Sequence, residues 1–261
     1  MQLRSFAATG TMLFALASAL NAQAPPGGGF GGGGRGGRGG AGRGGPAAAL
    51  FDPTGYWVAQ ITEDWKERIH PAAKGDVGSI PVSAAGRREA AAWDPASANS
   101  CKAYGAGGIL RMPGRLHIAW EENNLKIDFD SGSQTRVLSF GTPSGQPGDL
   151  QGVSIASWDR LAPALSGFTL GGRGGGGGGS LKIVTTKVRP GYLARNGVPY
   201  GANATFTEYY DRQEVPGGDT LLVVSVEVTD PDYLSGPYWY SVHFKKQADA
   251  SGWNPQPCDA K

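Results

Sequence analysis

Two neighbouring runs decide the fold: Ala204-Thr205-Phe206-Thr207-Glu208-Tyr209-Tyr210-Asp211-Arg212, then Thr220-Leu221-Leu222-Val223-Val224-Ser225-Val226-Glu227-Val228-Thr229. Both are rich in β-branched and aromatic residues and both alternate with period two, the pattern of a half-buried strand. In the second, Leu222, Val224, Val226 and Val228 make a continuous apolar face, with Ser225 and Glu227 opposite. Pro216-Gly217-Gly218-Asp219 between them is a turn, so the pair is a hairpin. The same alternation recurs outward over Gly55–Asp64, Arg115–Glu121, Leu125–Asp130, Gln134–Phe140, Gly152–Asp159, Leu181–Arg189 and Tyr238–Lys246. One short helix interrupts it: Ser83 caps Ala84–Trp93, and Asp94-Pro95 ends it. About nine strands and one helix predict an all-β antiparallel meander. A closed barrel is expected because it leaves no exposed edges, with a two-sheet β-sandwich as the alternative.

Composition sets the boundaries. Of 261 residues 44 are glycine, but 14 of these fall in 27–45 and 8 in 171–179, with no Gly-X-Y period. The chain is therefore a β-domain, 51–258, with a glycine-rich loop at 171–180, a Gly/Pro/Arg-rich leader at 23–50 and a short tail at 259–261. Arg4, the apolar run Thr11–Leu20 and the small residues of Asn21-Ala22-Gln23-Ala24 read as a signal peptide, cut after Ala22. That run is too short to span a bilayer, so a periplasmic or secreted protein without membrane insertion is expected. The formal charge of +2 comes from the leader: residues 47–261 hold 20 basic and 22 acidic side chains, a net of −2. Nothing there predicts a field that captures nucleic acid. Two cysteines in an oxidising compartment predict one disulfide, Cys101–Cys258.

Two resemblances add to this reading. Gly55-Tyr56-Trp57 on the first strand is similar to the Gly-x-Trp signature that opens lipocalin or calycin barrels, where the tryptophan plugs the closed end. Residues 51–258 resemble a secreted bacterial family of hypothetical proteins. The landmarks are Trp93-Asp94-Pro95, Cys101, Met112-Pro113, Gln134-Thr135-Arg136, Gly152-Val153-Ser154, Asn196-Gly197-Val198-Pro199, Thr207-Glu208-Tyr209-Tyr210-Asp211-Arg212 and Asp230-Pro231. Members carry an acidic Trp-Glu-Gly-Asp stretch where this chain has Trp158-Asp159-Arg160 and the glycine insertion. The resemblance implies a fold and a compartment, and no chemistry.

Candidate chemistry gathers on the strand 204–212. Phe206, Glu208, Tyr210 and Arg212 share a face, and a carboxylate facing a barrel interior is desolvated. It is expected to pair with an arginine of a neighbouring strand, Arg136 or Arg189, or, left unpaired, to serve as a general acid or base. Glu227 is solvated if the apolar face of its strand looks inward; reversed, it joins Glu208. Tyr240 and His243 on the last strand complete a candidate ligand-binding set of Arg136, Glu208, Tyr210, Glu227, Tyr240 and His243. His70, His117 and His243 show no metal-ligand spacing, so no metal or cofactor is expected. The leading expectation is an exported protein that binds a small, partly apolar or aromatic ligand in its lumen. The alternatives are a periplasmic lyase, isomerase or hydrolase using the cavity carboxylate, and an interaction module on a flexible arm. Lumen binding calls for a deep apolar cavity with Glu208 paired, catalysis for an unpaired Glu208 near a second titratable group. An interaction module calls for a filled barrel and a broad apolar outer patch.

Overall fold

The computed structural model describes residues 45–63, 65–96, 100–160 and 179–258. The signal peptide, most of the leader, the glycines up to 178 and the tail lie outside the described residues. Thirteen strands and two helices follow in chain order: β1 (Gly55–Ala59), α1 (Trp65–Arg68), α2 (Ala84–Ala92), β2 (Arg115–Glu121), β3 (Asn124–Phe129), β4 (Ser131–Gly132), β5 (Gln134–Ser139), β6 (Val153–Arg160), β7 (Gly179–Thr186), β8 (Gly191–Tyr192), β9 (Pro199–Tyr200), β10 (Thr205–Glu214), β11 (Thr220–Thr229), β12 (Tyr238–Lys246) and β13 (Gln256–Pro257).

Nine strands close a barrel in the order β1-β12-β11-β10-β7-β6-β5-β3-β2, with β1 bonded to β2 to complete the ring. The expected barrel is present. Every barrel pairing described is antiparallel except β5–β6, which is parallel over Leu138↔Ser154 and Ser139↔Ile155. A parallel neighbour needs a crossover, and residues 140–152 supply it. It is tied by Ser139 Oγ to Ser144 Oγ (2.7 Å) and by the Gly148 amide to the Lys187 carbonyl (2.7 Å). This crossover delivers Gln151 to the barrel interior.

The wall follows the alternation of the sequence. On β11, Leu222, Val224, Val226 and Val228 are fully buried while Val223, Ser225 and Glu227 are partly exposed. On β12, Tyr238, Val242 and Phe244 are buried and Trp239 and Ser241 are exposed. Trp57, the tryptophan of the Gly-x-Trp triplet, is wholly buried, and its indole Nε1–H donates to the Pro53 carbonyl at 2.9 Å. Lys246 lies over its ring, 4.9 Å from the centroid.

Both barrel ends are occupied. The chain between β1 and β2 covers the end where β10 and β12 begin: a 3-10 turn at Ile109–Arg111 sets Arg111 against the Tyr238 hydroxyl (3.3 Å) and over the Tyr240 ring (5.3 Å). The predicted cap of α2 is present, with Ser83 Oγ accepting from the Gly86 amide at 3.2 Å. At the other end Phe51, Trp120, Phe140 and Trp158 pack ring to ring, with centroids 5.2–6.0 Å apart. Residues 46–50, assigned to the leader by composition, include an ordered 3-10 turn at Pro46–Ala48, whose Ala48 carbonyl meets Arg160 at 3.5 Å.

Cys101 and Cys258 form the expected disulfide, with a Cα–Cα distance of 5.1 Å, across 157 residues of sequence. Beside it, β13 adds in parallel to β4, so Gln256 and Pro257 are held by backbone bonds as well. No helix among the described residues is long and apolar enough to cross a membrane.

Candidate functional site

Four of the six candidate residues face the lumen. Arg136 points inward from β5, Glu208 and Tyr210 from β10, and Tyr240 from β12, where it is opposite Val226. Arg136, Glu208 and Tyr210 form one hydrogen-bonded network, while the Tyr240 hydroxyl donates to the Gly107 carbonyl at 3.4 Å. Arg136 Nη1 donates to Glu208 Oε1 at 2.6 Å, with both side chains at most 1 % exposed. Arg136 Nε and Nη2 both donate to Gln151 Oε1, at 3.2 and 3.1 Å, and Gln151 Nε2 donates to the Tyr104 carbonyl at 2.7 Å. The Tyr210 hydroxyl donates to Glu208 Oε2 at 2.9 Å. Both carboxylate oxygens therefore have a donor, and all three donor nitrogens of the Arg136 fork are used. The guanidinium also lies 5.7 Å from the Phe129 ring centroid.

The electrostatics suit a closed network. Burial works against the Arg136 charge, but the Glu208 carboxylate and the tyrosines around it outweigh that and hold it above the usual arginine range. Burial, then the Glu208 charge, pushes Tyr210 well above the usual phenol range. Tyr240 is pushed up by burial against the opposing pull of Arg111. These phenols therefore stay protonated at neutral pH, and the Tyr210 proton is held on Glu208.

Glu227 and His243 do not belong to this set. Their strands turn the apolar faces inward, which places both side chains on the outer surface, Glu227 opposite Thr207 and Trp239, and His243 opposite Val223. The second lumenal carboxylate that acid–base chemistry asks for is not provided by Glu227. Of the two arginines weighed as partners for Glu208, Arg136 is the one that reaches it; Arg189 Nε donates instead to the Gly148 carbonyl at 3.1 Å. The loop 189–197 is pinned to the chain between β1 and β2. Asn196 Nδ2 donates to the carbonyls of Ala73 (3.1 Å) and Asp76 (2.6 Å), and Arg195 donates to the Arg68 carbonyl. The Arg195 guanidinium is half-buried, not solvated. Among the described residues no group of three or more His, Cys, Asp or Glu is placed to hold a metal ion.

Concavities lie at both ends of the barrel. A slot of about 10 Å³ between Arg111, Met112, Leu193 and Arg195 has room for one water. An open depression of about 500 Å³ at the opposite end is bordered by Pro46, Ala49, Phe51, Asp52, Thr54 and Trp120.

The outer wall carries a second group of aromatic and polar side chains. Across β6-β7-β10-β11-β12 the register aligns Ile155, Val184, Thr207, Glu227 and Trp239 in one row, with Ile155 45 % and Trp239 55 % exposed at its ends. The next row is Ser157, Lys182, Tyr209, Ser225 and Ser241. Lys182 sits over the Tyr209 ring at 5.5 Å, and Ser225 and Ser241 share a hydrogen bond of 3.1 Å. The alternation of Tyr238–Lys246 already put Trp239 on the face opposite the core. Gln151 had no such signal, since its Ser/Gly/Pro-rich surroundings read as a turn.

Comparison with family models, with curated proteins and with solved structures finds no match to this chain. The lipocalin barrel expected from Gly-x-Trp has eight strands, and the present one has nine with a parallel seam.

Proposed function

We propose that this chain is an exported recognition module that engages its partner through the outer face of β6-β7-β10-β11-β12, and that it is not a catalyst. The observation that carries this reading is the state of Glu208. The lumenal carboxylate has both oxygens engaged by protein donors, in a lumen occupied by Trp57, Phe206, Phe244 and the network itself. A ligand entering there would have to displace a buried ion pair, and breaking such a pair costs about 3–5 kcal/mol. The outer face, in contrast, exposes Trp239 beside Glu227 and Thr207, with Tyr209, Ser225 and Ser241 in the next row. Export is supported by the disulfide, which persists in oxidising compartments, and by the signal-like N-terminus. The likeness to the secreted bacterial family agrees with both.

A small planar ligand held at the barrel end is the second reading. The open depression bordered by Phe51 and Trp120 favours it, because ligand sites commonly combine aromatic walls with a few polar groups. Native mass spectrometry of the protein purified from its source separates the two. The outer-face reading expects the mass of the disulfide-bonded chain alone. A small molecule retained at one per chain overturns it in favour of the second reading.

A further inference from the structure

Resting on the outer-face reading, the chemistry of that face names its partner: we infer that the β6-β7-β10-β11-β12 wall binds a neutral polysaccharide, with Trp239 as the main stacking platform and Tyr209 as a second ring.

The first support is the placement of the rings. Trp239 is 55 % exposed on β12, although a tryptophan is one of the most costly side chains to leave in water. Tyr209 lies two strands away on β10, one alternation step along the barrel, as the pairs Tyr209↔Ser225, Ser225↔Ser241 and Glu227↔Trp239 require. With strands about 4.8 Å apart and about 3.3 Å per residue, their Cα atoms are separated by roughly 12 Å. A short run of linked sugar rings spans that distance. The C–H faces of sugar rings are apolar and stack on aromatic rings, while their edges carry hydroxyls.

The second support is what surrounds the rings. Ser157, Ser225, Ser241 and Thr207 supply hydroxyls that both donate and accept, as sugar hydroxyls require. Glu227, between Thr207 and Trp239, supplies an acceptor beside the platform. Trp and Tyr are enriched in protein–protein interfaces, but the Ser, Glu, Asp and Lys that surround these two rings are depleted there, which argues against a protein partner. The composition also argues against a polyelectrolyte. The wall carries both signs, Lys182 on β7 and Asp211 and Glu227 on β10 and β11, and residues 47–261 carry a net charge of only −2. A ring platform in a hydroxyl-lined, charge-balanced sheet is complementary to an uncharged polyhydroxylated chain.

The test is affinity electrophoresis of the full mature chain in native gels containing a soluble β-glucan, a mannan or a dextran, alongside the Trp239→Ala, Tyr209→Ala and Trp65→Ala variants. Trp65, on α1, is 49 % exposed and is not part of the β6-β7-β10-β11-β12 wall, so it controls for indiscriminate tryptophan stacking. Circular dichroism verifies that each variant is folded. The expected result is retardation of the wild type by at least one polysaccharide, an at least tenfold loss of affinity in Trp239→Ala, a smaller loss in Tyr209→Ala and no change in Trp65→Ala. Retardation that survives in Trp239→Ala overturns the site. No retardation of the wild type by any of the three overturns the glycan assignment, and the outer-face reading then stands or falls on the native mass measurement.

Discussion

Glu208 and Glu227 sit one residue out of register on adjacent strands, Glu208 opposite Val226 and Glu227 opposite Thr207, yet they live on opposite sides of one β-wall. Glu208 is wholly buried and bound by Arg136 and Tyr210. Glu227 is partly exposed between a hydroxyl residue and an exposed indole. The same side-chain chemistry is structural in one place and available to a partner in the other. Period-two alternation alone makes the difference. The contrast shows that a buried carboxylate in a barrel is not by itself evidence of chemistry; what matters is whether its oxygens are already engaged.

The contrast breaks most visibly at Arg136. Arg136→Ala leaves the Glu208 charge buried without its cation and is expected to cost about 3–5 kcal/mol in denaturant unfolding. Pairing Arg136→Met with Glu208→Leu is expected to restore part of that stability, because it removes the unpaired charge but leaves Gln151 Oε1 and the Tyr210 hydroxyl without these partners. If the double variant is as unstable as the single one, the pair is more than a packing element.

Removing the disulfide tests how the inner network is held. Cys101 lies in the 3-10 turn Ser100–Tyr104, and the Tyr104 carbonyl accepts from Gln151 of that network. Replacing both cysteines by alanine is expected to cost about 2–5 kcal/mol, toward the upper end for so long a closed loop. Outer-face binding is expected to survive wherever the chain remains folded.

Alkaline titration probes the inner wall through its phenols. Burial pushes Tyr200 up to about 12, and Tyr210 and Tyr240 are raised too. A raised folded value means that the native state holds its proton while the unfolded chain loses it. Stability is thus complete below the unfolded pKa near 10 and falls as pH rises toward the folded value. Tyr200 alone accounts for about 2–3 kcal/mol of loss between pH 10 and 12. Phenolate absorbance and loss of β-structure are expected to rise together; ionisation of all nine tyrosines without unfolding would contradict the burial.

Tyr210→Phe is the smallest change on the inner side. It takes the donor from Glu208 Oε2 and is expected to cost about 1–3 kcal/mol.

Much of this arrangement was legible in the sequence. Arg115–Glu121, Thr220–Thr229 and Tyr238–Lys246 are strands with the boundaries their alternation predicts. The Ser83 cap was readable because a local side-chain-to-backbone bond needs only neighbouring residues. Gly55–Asp64 shortened to Gly55–Ala59, since the chain leaves the wall for a 3-10 turn at Ile61–Glu63. The parallel seam and Gln151 were not legible, because a Ser/Gly/Pro-rich crossover carries the same residues as a hairpin turn. Nor was the choice of Arg136 over Arg189: it depends on how the barrel closes, and 72 residues separate Arg136 from Glu208. Glu227 and His243 entered the candidate set on residue type, although the alternation of their own strands already turned them outward.

The most direct measurement is a side-by-side denaturant unfolding of Glu208→Gln and Glu227→Gln. The closed-network account predicts a loss of about 3–5 kcal/mol for Glu208→Gln and a change within about 0.5 kcal/mol for Glu227→Gln. Equal, small effects for the two would contradict it, because Glu208 would then not be the buried partner on which the inner wall depends.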